Sequence, residues 1–68
     1  MSFYYVNKVA KANGDHEVHK STCISLPPPE QRLALGYHES SVAAVEYAKL
    51  NFRQSNGCSS CALSGYTP

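Results

Sequence analysis

Gly14-Asp15-His16-Glu17-Val18-His19-Lys20-Ser21-Thr22-Cys23 joins a turn, a strand and two metal-ligand residue types within one short stretch of the chain. Asn13-Gly14 is a strong hairpin signal because glycine, and to a lesser degree asparagine, tolerates the backbone of a tight turn. The run Phe3 to Ala10 before it is rich in aromatic and β-branched residues, which favour a pleated strand. His16 to Lys20 is then the return strand of an N-terminal β-hairpin. A two-residue type I′ turn on Asn13-Gly14 pairs Ala12 with Asp15, Ala10 with Glu17, Val9 with Val18 and Lys8 with His19. Side chains alternate faces along a strand, so His16 and His19 point to opposite sides in any register. In this register His19 shares a face with Tyr4, Val6 and Ala10. Val9 and Val18 lie on the other with Phe3 and Tyr5, and both faces are expected to be covered.

Beyond the hairpin, Leu26-Pro27-Pro28-Pro29 is a stiff, non-helical connector, since proline fixes φ and removes a donor. Leu33 to Tyr37 reads as a short third strand at a sheet edge. Ser40-Ser41 offers an N-cap to a helix from Val42 to Phe52, with Val42, Val45 and Phe52 on one stripe and Ala44 and Ala48 beside it. Asn56-Gly57 closes that helix. The expected fold is α+β: a hairpin, a short third strand and one packed helix in a single domain over residues 1–68. Order is expected over about 3–62, with a flexible tail at 63–68.

The second half of the signal is Cys58-Ser59-Ser60-Cys61. A C-x2-C turn sets two sulfurs on one side of a tight loop, at the spacing a tetrahedral ion needs. His19-x3-Cys23 supplies two more donors, and the helix between the motifs brings the halves together. Three cysteines cannot all pair within one chain, and nothing in the sequence suggests secretion, so a disulfide framework leaves one thiol over. Three thiolates and one imidazole complete a Cys3His site, and soft ligands in a redox-inert role point to Zn2+. The ligands expected are His19, Cys23, Cys58 and Cys61. His16 is the next choice for the fourth donor, with His38 or water behind it. A thioredoxin-type dithiol leaves the upstream His-x3-Cys without purpose and needs a larger scaffold. Haem attachment requires histidine where Ala62 stands. An iron–sulfur cluster needs a non-cysteine fourth ligand.

Composition narrows the rest. With 43% apolar and 16% charged residues the chain has no disorder signature. A formal charge of +1 is far from the basic balance of a general nucleic-acid binder, and three thiolates around one divalent ion bring the loaded protein to formal neutrality. No run reaches the length of a membrane helix, and the N-terminus lacks the pattern of a signal peptide, so the chain reads as complete and cytoplasmic. No Gly-x-Ser-x-Gly elbow or phosphate-cradling glycine loop is present, the serines sit at caps and turns, and the carboxylates are scattered. Catalytic residues are not expected. A core alone rarely stabilises so short a chain by more than roughly 3–5 kcal/mol, which makes a metal staple reasonable.

The run Gly14 to Lys20 with Cys23, then Leu35-Gly36-Tyr37, a Ser-led Ala-rich helix and Gly57-Cys58-x2-Cys61, resembles a group of small uncharacterised bacterial zinc-binding proteins over about residues 3–61. More distantly, two metal-ligand pairs around a helix resemble the N-terminal zinc domain of the Ada methylated-DNA repair protein and related modules of competence-type nucleases. The resemblance implies a small α+β zinc fold with His19, Cys23, Cys58 and Cys61 as ligands. It does not imply the Ada activity. There the ligands are all cysteines and the first is the methyl-accepting thiolate, whereas this chain places His19 in that position. The role expected is a binding or adaptor module whose partner is a protein or a second copy. Two rivals are nucleic-acid binding through Lys8, Lys11, Lys20 and Arg53, and zinc-thiolate chemistry as an alkyl acceptor or redox sensor.

Overall fold

A computed structural model describes all of residues 1–68. Strands β1 (Ser2–Asn7), β2 (His16–Lys20) and β3 (Arg32–His38) precede one helix, α1 (Ser41–Ala48), and a last short strand, β4 (Ser55–Gly57). They form a four-stranded sheet in the order β3-β1-β2-β4. β1 pairs antiparallel with both β2 and β3, and β4 runs parallel to β2. The fold is α+β, with the expected hairpin, edge strand and helix.

The hairpin register differs from the expected one by three residues. Tyr5 lies opposite His19, Val6 opposite Val18 and Tyr4 opposite Lys20. The turn accounts for one position and a break in the ladder after it for the other two. Lys11 accepts from the Gly14 N–H and donates to the Asp15 carbonyl, both at 2.8 Å, and within the turn only Gly14 has positive φ, at 92°. That is a three-residue loop with glycine in the left-handed position, not a type I′ pair on Asn13-Gly14. The ladder then breaks over Lys8–Ala10, where the Asn7 side chain takes the Val9 N–H at 2.9 Å and the Asn7 carbonyl meets His16 Nδ1 at 2.9 Å. A slip of an odd number exchanges the faces. Val18 therefore joins Tyr4 and Val6, and His19 joins Tyr5.

Tyr4, Val6, Val18 and Leu35 bury against Ala44, Val45 and Ala48 of α1, and the Tyr4 hydroxyl meets Ser41 Oγ at 3.2 Å. Small residues on α1 let it approach the sheet closely. The Ser40 side chain caps the helix by accepting from the Ala43 N–H at 3.1 Å, as the serine pair predicts. The helix ends at Ala48 rather than Phe52, and turns carry the chain onward. Val42 is half exposed, while Phe52 leaves the helical stripe to stack on His16 with ring centroids 4.2 Å apart. Asn56-Gly57 does not close the helix. It belongs to β4, a strand absent from the sequence expectation. The second sheet face is likewise not covered by a helix: it carries Phe3, Tyr5 and Tyr37.

The proline connector ends in one 3-10 turn, Pro29–Gln31. The chain's final segment makes another, Leu63–Gly65, and the Asn56 side chain bonds the Thr67 backbone in both directions. At Gly57 backbone packs directly on backbone: a Cβ there would lie 2.5 Å from the Ala62 carbonyl oxygen. That close approach fixes the segment after the second cysteine pair against β4.

Candidate metal centre

The site grows out of the end of β2. His19 is the penultimate residue of that strand and is 1% exposed. The chain then turns, the Cys23 N–H donating to the Lys20 carbonyl at 3.0 Å, which brings the Cys23 sulfur back beneath the strand end. From the other side β4 delivers Cys58, whose N–H extends the parallel ladder to the Val18 carbonyl at 2.9 Å. The Ala62 N–H donates to the Cys58 carbonyl at 2.9 Å and closes the C-x2-C turn. Cys61 Sγ accepts from the Lys20 N–H at 3.4 Å. β4 pairs only with β2, so the missed strand is the element that sets the cysteine pair beside the histidine.

One donor atom from each of His19, Cys23, Cys58 and Cys61 lies within 4.8 Å of every other, a group able to hold a metal ion. Cys23 Sγ and Cys58 Sγ are 4.0 Å apart, and Cys61 Sγ and His19 Nδ1 are 3.8 Å apart. A tetrahedron with the usual Zn–S and Zn–N lengths has edges of about 3.8 Å between sulfurs and about 3.6 Å from sulfur to nitrogen. Those two edges match such an ion to within about 0.2 Å, and the remaining donor pairs lie within 4.8 Å. All three cysteines are free thiols, and 4.0 Å is roughly twice a disulfide bond. His16 and His38 stand apart from the group. His16 Nδ1 contacts the Asn7 carbonyl, and His38 Nε2 the Leu35 carbonyl at 2.8 Å.

The geometry also separates the two nitrogens of His19. Nδ1 faces the sulfurs, while Nε2 lies 3.5 Å from Glu17 Oε1. Glu17 Oε2 is in turn 3.2 Å from Lys11 Nζ. A carboxylate behind a ligating imidazole orients the ring and fixes which nitrogen carries the proton. Reading Glu17 as one of several scattered acids missed this role. The signal was present in the sequence, because residues two apart on a strand share a face.

Burial holds the His19 imidazole below its ordinary pKa, against the opposing pull of the Glu17 carboxylate, so the ring is neutral and ready to ligate at neutral pH. Among the sulfurs the protons divide unevenly. Burial acts to raise the Cys58 thiol, but N–H groups of Cys61 and Ser60 together with the neighbouring sulfurs outweigh it and bring it down. Cys61 is pushed up to about 12, first by burial and then by the adjacent Cys23 sulfur. Thiolates crowded this closely repel one another without a cation between them. The arrangement favours a metal cation that displaces the remaining protons.

No protein-family model, curated protein or solved structure gives a significant match to the chain. The centre is described by its own donors alone. A polar cleft of about 550 Å³ between α1, β4 and the last residues is lined by Asp15, Lys49, Gln54 and Asn56 among others, and none of the four donors borders it. In it Asp15 is held by the side-chain amides of Gln54, Asn56 and Asn13. No helix is long and apolar enough to cross a membrane.

Proposed function

We propose that this chain is a small bacterial, cytoplasmic module stapled by one structural Zn2+ on His19, Cys23, Cys58 and Cys61, and that it works by binding rather than by catalysis. The observation that carries the proposal is the convergence of one imidazole and three sulfurs within 4.8 Å. Zinc is the reading favoured by thiolate-rich, tetrahedral donors with no redox function. Four protein donors fill a tetrahedral shell and leave no position for the water a catalytic zinc activates. The staple joins the end of β2, the turn after it and the end of β4, and the buried core is only seven residues. Metal binding of this kind contributes about 10–16 kcal/mol, well above what so small a core supplies.

The role favoured is that of an adaptor whose partner is a protein or a second copy. Addition of excess chelator at neutral pH is expected to collapse the amide dispersion in NMR spectra, and zinc is expected at one equivalent by elemental analysis. A chain purified without zinc whose spectrum ignores the chelator overturns the proposal. Two further measurements address the rival roles. Nucleic-acid binding would give a steep salt dependence in DNA and RNA titrations, and thiolate transfer or sensing would give a mass increase after alkylating or oxidising treatment.

A further inference from the structure

The sheet face opposite α1 carries a continuous row of side chains across β3 and β1. Tyr37 meets Phe3 edge-on with centroids 5.0 Å apart, Phe3 meets Tyr5 at 5.2 Å, and the Arg32 guanidinium lies 4.6 Å above the Tyr5 ring. Tyr37 is 67% exposed and Ala34, beside it on β3, is exposed as well. Aromatic residues and arginine are the types enriched at the centres of protein interfaces. The rings are tilted by 51° and 90° to their neighbours, which makes slots rather than a flat platform.

At the arginine end of this row the chain presents what such slots accept. Arg32 Nη1 donates to the Pro27 carbonyl at 3.0 Å, so the proline connector begins beside the guanidinium. Pro28 has φ −61° and ψ 157°, and Pro28, Pro29 and Glu30 are all exposed. An extended Pro28 followed by Pro29 at the start of the 3-10 turn makes a rigid apolar ledge, and a ledge of prolines docks against aromatic rings at low entropic cost. Charge is complementary too. Neither Arg32 nor Glu30 takes part in any of the chain's ion pairs, which are Lys11–Glu17, His19–Glu17 and Lys49–Glu46.

We infer that the Tyr37-Phe3-Tyr5-Arg32 face is a self-association surface that takes the Pro28-Pro29-Glu30 ledge of a second copy, reciprocally, about a two-fold axis. Row and ledge are adjacent on one molecule, which lets each copy offer both halves of the contact, and two-fold pairs of this kind are the commonest oligomers. Formal neutrality of the zinc-loaded chain leaves no net repulsion between copies. The inference deepens the binding role proposed above and rests on it.

The test is sedimentation of the zinc-loaded full chain from micromolar to millimolar concentration. A monomer–dimer equilibrium is expected. Glu30→Arg or Arg32→Glu alone is expected to weaken it by about tenfold or more, and the two together to bind more tightly than either alone, because the exchanged pair is remade in both directions across the axis while the Arg32 contacts to Tyr5 and Pro27 are not. Tyr37→Ala is expected to weaken it as well, whereas Leu50→Ala, at an exposed position just beyond α1, leaves it unchanged. NMR spectra and zinc content of each variant separate lost association from lost folding. A chain that holds zinc and stays monomeric throughout overturns the inference and leaves the zinc proposal standing, and a dimer without zinc does the reverse. A dimer indifferent to both charge reversals overturns the inference, as does a monomer whose aromatic row takes only a proline-rich peptide or single-stranded RNA.

Discussion

Glu17 shows how one side chain gains meaning from the position two residues along the same strand. Its carboxylate lies 3.5 Å from His19 Nε2, which leaves Nδ1 for the sulfur cluster. Glu17→Gln keeps the shape and removes the charge, so zinc affinity is expected to fall about 10–100-fold. Competition against a chelator of known affinity measures this, and an unchanged affinity refutes the role. Under excess zinc the variant's amide spectrum should match the parent's. The four donors themselves were legible because each belongs to a short motif with a fixed spacing. Glu17 was not singled out, since a lone carboxylate in a sequence has many neighbours and only a defined ring orientation selects one of them.

Among the elements, α1 and the hairpin illustrate opposite cases. The helix start was legible because capping is local: Ser40 precedes Ser41 and its side chain reaches the Ala43 N–H. Ser40→Ala is therefore expected to cost about 1 kcal/mol of stability. Thermal melting of the zinc-loaded protein checks it, and a variant as stable as the parent contradicts the cap. The helix end was less legible, since Phe52 falls on the stripe of Val42 and Val45 and no proline or glycine interrupts Lys49 to Phe52. Tertiary pairing ends it instead, with Phe52 drawn onto the His16 ring. In the hairpin, Asn13-Gly14 located the turn but not its length. The distinction between a two-residue and a three-residue loop depends on which residue adopts positive φ, and that moved the register by one position, with the break over Lys8–Ala10 adding two more. Strand β4 is only three residues long, Ser55-Asn56-Gly57, with no β-branched or aromatic residue to mark it. It exists because β2 offers a free edge and because Gly57 lets backbone approach backbone.

At the scale of the whole molecule, folding, metal and protonation form one equilibrium. Burial lowers the pKa of His19 in the folded chain below the 6.5 of an exposed imidazole. Between those two values the unfolded chain binds a proton that the folded chain refuses, so this group's contribution is complete above about pH 6.5 and is lost as pH falls through that region. Metal ligation acts in the same sense, because three thiols and one imidazole must all be deprotonated to bind. Melting temperature is thus expected to drop steadily as the buffer is taken from pH 8 to pH 5, with zinc released over the same range. A melting temperature that holds or rises on acidification rules out His19 as a buried neutral ligand.

What the amino-acid sequence determined by itself were the features set by near neighbours: the helix cap, the strand character of β1, β2 and β3, and the two ligand pairs whose spacing suits a tetrahedral ion. What only the tertiary structure decided were the features set by long-range pairing. These are the hairpin register, the strand that carries Cys58 into place, the placing of Glu17 behind His19, and the aromatic row left open on one face. The physical reason is the period of two along a strand. A local signal specifies that a strand forms, but which of its faces meets the helix and which meets the metal depends on a register that one additional residue in a turn reverses.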